Sequence, residues 1–178
     1  AEAPAGTPPG APERAADLSG RWTGTSHFVV VDATGDVVSM TTTIEGPFGA
    51  QRMAAGFFLN NQMTDFSFVP ADAKGRPVAN AVAPGKKPRS SMAPTIVFRD
   101  GRFLLAVGSP GGNAIIGYVL KTLVGVLDWG LTPQQAIALP NVVARGKPLV
   151  EAGFDAGLRA ALTAMGHEIG EARAGEAS

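Results

Sequence analysis

The sequence predicts an α+β fold in which antiparallel hairpins are flanked by helices, and three observations predict it. Two pairs of β-branched or aromatic runs are each separated by a short turn rich in Gly and Asp, the pattern of a hairpin. One apolar stripe between Ile115 and Leu127 recurs at 3.6-residue spacing over a length suited to a helix. The 178 residues are 45% apolar, enough for one domain with a substantial core.

Taken in order, residues 1–20 are dominated by Ala, Pro and Gly, which bury little and cost much entropy to order. A flexible tail over residues 1–24 is therefore expected, followed by a folded domain over 25–178. Leu18 and Trp22 are the tail residues able to dock on the body, Trp22 as a packing anchor beside the first strand. The first hairpin joins Phe28–Asp32 to Val37–Ile44 through Ala33-Thr34-Gly35-Asp36. Glu45-Gly46-Pro47-Phe48-Gly49-Ala50 then ends the strand in a loop. The short apolar run Phe57-Phe58-Leu59 leads into Asn60-Asn61-Gln62-Met63-Thr64-Asp65-Phe66, too polar for a half-buried strand in a simple register. That stretch reads as an Asx-rich turn or as the wall of a polar pocket.

Residues 67–89 carry several prolines, no periodicity and the cations Lys86, Lys87 and Arg89. A loop of this length inside a domain is functional or disordered. The second hairpin follows, Thr95–Phe98 turning at Arg99-Asp100-Gly101 into Arg102–Val107. Gly108-Ser109-Pro110-Gly111-Gly112-Asn113 connects it to the long helix, which is expected to end near Asp128-Trp129-Gly130. Adjacent glycines before a helix are compatible with a tight turn and with an anion site made of backbone N–H groups. The Lys and Ser/Thr of a P-loop are missing. Thr132-Pro133-Gln134-Gln135 predicts a capping box opening a short helix that stops before Pro140. A strand at Leu149-Val150-Glu151 and a helix over 155–165, ended by Gly166, complete the pattern. His167-Glu168-Ile169 is expected to begin a last strand, with His167 on the surface.

Composition excludes several classes. Fifteen basic and fifteen acidic residues cancel, and no basic stripe exists for nucleic acid. With no cysteine there is no disulfide framework, thiol nucleophile or thiolate metal site, and two histidines argue against a His-rich metal site. No metal or other cofactor is expected. No apolar run approaches the roughly 18 residues of a membrane span. The start, Ala1-Glu2-Ala3-Pro4, is unlike a signal peptide and lacks an initiating Met, so the chain is expected to be part of a longer product.

Thr25, at the head of the first strand, has two readings. It is a β-branched residue suited to a pleated surface. It is also a potential nucleophile: were the chain cut before it, its freed α-amino group could serve as the base for its hydroxyl.

Five motifs in order, Thr25-Ser26-His27, Thr41-Thr42-Thr43, Asn60 to Phe66, Pro88-Arg89-Ser90-Ser91-Met92-Ala93-Pro94-Thr95 and Gly108-Ser109-Pro110-Gly111-Gly112, resemble the small catalytic subunit of γ-glutamyltransferases from about Gly24 to Gly166. The resemblance implies part of an N-terminal-nucleophile hydrolase αββα sandwich and a precursor that cuts itself at Gly24-Thr25. It implies Thr25 as the nucleophile and Thr43 as the strand threonine contacting it. Gln62 and Asp65 would hold the substrate α-amino group, Ser90 and Ser91 its α-carboxylate, and the Gly111 and Gly112 backbone the oxyanion. The implied substrates are glutathione and related γ-glutamyl amides, and the implied partner is the large subunit of the same precursor, forming a heterodimer. A periplasmic or extracellular location is implied in the same way.

Three departures qualify this. Glu45 stands where many members carry an asparagine that helps bind the glutamyl group, which puts an additional negative charge near the substrate. The resemblance implies an arginine of the large subunit for the α-carboxylate, and no more of that subunit than the tail is expected in these residues. The chain is also expected to stop before the family's last strands. Two alternatives stay open: a related amidase of the cephalosporin or glutaryl acylase type, and a truncated fragment that binds a partner subunit without turnover.

Overall fold

The structure is a computed structural model and describes residues 9, 10, 12 and 24–172; the rest of the expected tail, with Leu18 and Trp22, lies outside the described residues. Strand β1 (Thr25–Val31) pairs antiparallel with β2 (Val37–Thr43), in a register that sets Thr25 opposite Thr43 and His27 opposite Thr41. The turn is held by Asp32, whose Oδ1 accepts from the Thr34 hydroxyl at 2.8 Å and from the Thr34 and Asp36 N–H groups at 2.9 Å each. These bonds, the Thr34 hydroxyl foremost, hold the Asp32 carboxyl below its usual range. The strand begins at Thr25, as expected, and its first three residues, ahead of the apolar run, pair with the threonines of β2.

A two-residue pair, β3 (Met53–Ala54) with β4 (Phe57–Phe58), follows. The polar stretch after it is both things the sequence allows. Residues Gln62–Asp65 form a single 3₁₀ turn, opened by an Asx bond from the Gln62 N–H to Asn60 Oδ1 at 2.9 Å. The long loop 67–89 holds little regular structure but is tied at both ends by buried Asn80. Its Nδ2 donates to the Asp65 carbonyl at 2.6 Å, its Oδ1 accepts from the Arg89 N–H at 3.1 Å, and its own carbonyl accepts from the Ser67 N–H at 2.9 Å. Satisfying three backbone groups from one buried residue fixes where the loop ends.

The second hairpin joins β5 (Thr95–Arg99) to β6 (Arg102–Val107) with an irregularity between Val97 and Phe98. Its two-residue turn, Asp100-Gly101, has positive φ at both positions, as a right-twisting hairpin demands. A 3₁₀ turn, Gly112–Ala114, then leads into helix α1 (Ile115–Leu127). Helix α2 (Pro133–Ala138) opens with both bonds of the capping box between Thr132 and Gln135. Lys121 of α1 donates to the carbonyls of Ile137, in the last turn of α2, and Leu139, just past its end, at 3.1 and 2.8 Å. Strands β7 (Val142–Arg145), β8 (Lys147–Val150) and β9 (Gly170–Glu171) form a three-stranded sheet, β9 running parallel to β8. Helix α3 (Ala156–Ala164), capped by Asp155, precedes β9, and His167 is exposed between them.

The core gathers Ile115, Tyr118 and Val119 of α1 with Ala114, Ala136, Val150, Val78 and Phe66. Helix α1 is apolar on more than this face. Ile116 and Leu120 remain 57% and 59% exposed, so the predicted stripe is only half covered by the described chain. The outer face of the first hairpin is likewise apolar and open: Phe28 lies opposite Met40 and Val30 opposite Val38, all four exposed. Soluble domains rarely leave such sheet faces uncovered.

Candidate active site

A cleft of ≈ 400 Å³, counting the solvent at its mouth, is lined by Thr25, Thr43, Glu45, Gln62, Asp65, Arg89, Ser90, Ser91, Met92, Gly112, Asn113 and Ile115. Eight of the nine residues singled out from the sequence thus meet in one place. The ninth, Gly111, sits directly behind Gly112, with φ 129° and with Tyr118 packed so closely that a Cβ would come within 2.6 Å of its ring. Both the dihedral and the contact require glycine there.

The register of the first hairpin positions the threonines. Thr25 and Thr43 face each other across the pair, and the Thr43 hydroxyl donates to the Gly24 carbonyl at 2.9 Å. The same hydroxyl oxygen accepts from the Glu45 N–H at 2.8 Å. This orientation polarises the carbonyl of the peptide bond that joins Gly24 to Thr25. Gly24 is packed against the 45–46 backbone, where a Cβ would lie 2.5 Å from the Glu45 carbonyl oxygen, so glycine lets the two segments approach.

Glu45 adopts φ 74°, a left-handed conformation that costs a non-glycine residue roughly 1–2 kcal/mol. Asn61 helps hold it there. Its Nδ2 donates to Glu45 Oε2 and its Oδ1 accepts from the Gly46 N–H, both at 2.9 Å. Glu45 is 5% exposed, so its carboxylate is a wall of the cleft and not a solvated side chain. Across the cleft, Gln62 Nε2 donates to Asp65 Oδ2, which fixes one carboxylate oxygen. Ser90 Oγ accepts from the Met92 N–H at 3.2 Å, turning the Ser90-Ser91 segment toward the cleft wall.

The sequence reading did not place Arg89 or Asn113 in this site, nor Asn61 and Asn80 beneath it. Arg89 directly precedes the serine pair, and its clustering with Lys86 and Lys87 was the available signal. Asn61 reaches Glu45 and Gly46, 15 or more residues back, and Asn80 reaches Asp65, Ser67 and Arg89, 9 to 15 residues away, which no local pattern records. Among the described residues no three His, Asp or Glu side chains cluster so as to hold a metal, and no helix is long and apolar enough to cross a membrane.

The sequence model of gamma-glutamyltranspeptidase matches residues 7–178. A glutathione hydrolase proenzyme of Bacillus subtilis strain 168 is 41% identical over 150 residues, covering 82% of this chain and 24% of that protein. An acylase ACY 1 proenzyme of Pseudomonas sp. strain V22 is 38% identical over 148 residues, covering 82% of this chain and 25% of that one. The crystal structure of a mutant gamma-glutamyltranspeptidase from Helicobacter pylori superposes with a TM-score of 0.74 at 36% identity, over 82% of this chain and 84% of the other. The fold is therefore part of an N-terminal-nucleophile hydrolase, α+β with antiparallel sheets and flanking helices, as expected. The chain belongs to the gamma-glutamyltranspeptidase family. It spans about a quarter of the length of the curated relatives it matches.

Proposed function

We propose that residues 25–178 supply the catalytic side of a γ-glutamyl transferase or glutathione hydrolase, with Thr25 as the nucleophile after cleavage at Gly24-Thr25. The observation that carries this reading is the Thr43 hydroxyl bonded to the Gly24 carbonyl at the edge of the cleft that holds Thr25. In the first reaction the Thr25 hydroxyl attacks the Gly24 carbonyl carbon, and Thr43 donates to the oxygen that gains charge. The acyl group moves from nitrogen to oxygen, and water then hydrolyses the ester, leaving Thr25 with a free amine.

In the second reaction that amine takes the proton of the Thr25 hydroxyl, whose oxygen attacks the γ-carbonyl of the substrate. N–H groups at Gly111 and Gly112 receive the oxyanion, at the start of the α1 segment where the backbone favours negative charge. The amine product leaves with the proton, and water or an amino acid accepts the acyl group. Asp65, braced by Gln62, holds the α-amino group; Ser90 and Ser91 hold the α-carboxylate, with Arg89 adding a cation to the same wall. The exposed outer face of the first hairpin and of α1 supports a heterodimer in which the large subunit of the same precursor covers them, outside the cytoplasm as in the family.

An acylase reading is favoured by one feature, the buried carboxylate of Glu45 in the cleft, together with the acylase relative. Paired substrates separate the two. A γ-glutamyl anilide should be turned over with kcat/KM about a hundredfold above a glutaryl anilide, which lacks only the α-amino group that Asp65 recognises. A preference for the glutaryl compound would favour the acylase. The tight fit at Gly24 gives a further expectation. Gly24→Ala should slow precursor cleavage about tenfold to a hundredfold, because the methyl must displace the Glu45 carbonyl and with it the alignment at Thr43. A time course of chain conversion on denaturing gels measures it, and cleavage at the parental rate would contradict it.

A further inference from the structure

We infer that His27 is a positioning residue whose imidazole acts as a spacer between the strand carrying Thr25 and the loop carrying Gly111 and Gly112. The inference rests on the roles proposed above for Thr25 and for those glycines. Residues alternate along a strand, so His27 lies on the same face of β1 as Thr25. Its ring is anchored on one side, with Nδ1 2.9 Å from Thr41 Oγ1 on the paired strand. Its Nε2 is enclosed and has no hydrogen-bond partner among the described residues. Burial pushes its pKa below the usual value, which favours the neutral ring.

What the ring touches gives it a task. A Cβ on Gly108 would sit 2.2 Å from both Cε1 and Nδ1 of His27 and 2.7 Å from Cγ, so the imidazole rests directly against the Gly108 backbone. Gly108 has no left-handed dihedral that would demand glycine. The missing side chain is explained by the ring alone. Gly108 is the first residue of the loop that ends in Gly111 and Gly112, and Gly112 shares the cleft with Thr25. The ring thus sets how far the nucleophile's strand stands from the backbone donors, a distance to which acyl transfer is sensitive at the level of ~1 Å. A buried polar nitrogen without a partner is a cost that a purely structural site would shed by carrying Leu or Phe. A flat ring anchored through Nδ1 has fixed thickness and orientation, which a flexible aliphatic chain does not.

The test is a mutant cycle in the full-length precursor, large-subunit segment included, with N-terminal sequencing to count processed chains and with kcat and KM measured on a γ-glutamyl anilide. Per processed chain, His27→Ala and Gly108→Ala should each lower kcat about tenfold to a hundredfold while KM changes less than about threefold. The double variant should recover activity relative to Gly108→Ala, since the new methyl enters the space the ring has left. His27→Asn, which keeps a donor near the Nδ1 position, should fall between parent and His27→Ala, and serves if the alanine variant does not fold. Unchanged kcat per processed chain in the single variants, or losses that simply multiply in the double, would overturn the spacer role while leaving Thr25 as nucleophile intact. A parent that is neither cut at Gly24-Thr25 nor active would overturn both.

Discussion

A precursor carrying Thr25→Ala is expected to remain one uncut chain and to lose turnover by about four to six orders of magnitude, the range seen when a covalent nucleophile is removed. Both losses come from one atom. The Thr25 oxygen is asked to attack the Gly24 carbonyl in the precursor and the γ-carbonyl of substrate in the mature protein, and alanine has none. Thr25→Ser keeps the oxygen and should retain slow cleavage, although without the methyl the χ1 rotamer is less restricted. The surroundings fit such a demand, since Thr43 meets the Gly24 carbonyl from the paired strand and the Glu45 N–H orients Thr43. A threonine that served only the pleated strand would behave in reverse. Its alanine variant would lose modest stability and keep its activity, which intact mass and anilide turnover would register together.

The second large effect belongs to Asp65. Asp65→Ala should raise KM for a γ-glutamyl anilide roughly a hundredfold, since losing a charge-assisted partner costs about 2–3 kcal/mol. Cleavage at Gly24-Thr25 should be unaffected. The fold should also persist, because the bond that ties this turn to the long loop runs from Asn80 to the Asp65 backbone carbonyl and not to its carboxylate. The Gln62 amide loses its partner in the variant, but both residues are half-buried beside an open cleft where water can replace it. Equal loss of processing and of binding would remove Asp65 from the substrate amine and assign it to the scaffold.

Much of the fold could be read from the sequence where the physics is local. The two hairpins, the Thr132 capping box and the boundaries of α1 depend on contacts within a few residues, and all three were predicted close to where they fall. Strands β3, β4 and β7 were not predicted. The first two are two residues long, and Val142–Arg145 follows Pro140-Asn141 without polar alternation, so none carries a period. For α1 the spacing identified the helix but not its buried face, because apolar residues occur on more than one side. Candidate site residues could be picked out as an ordered set of motifs, and eight of the nine line one cleft. Their supports stayed hidden. The left-handed Glu45, the Asn61 clamp and the contact of His27 with Gly108 depend on pairs of residues far apart in the chain. Arg89 was visible as one cation among three and within the Pro88–Thr95 motif, with no role of its own assigned.

The most direct measurement is N-terminal sequencing, with intact mass, of the mature protein purified from the full-length precursor. The nucleophile account predicts a small chain that begins Thr25-Ser26-His27-Phe28, with the new amine absent from the Thr25→Ala variant prepared in parallel. A mature protein left uncut between Gly24 and Thr25, or an alanine variant cut there as well, would contradict it.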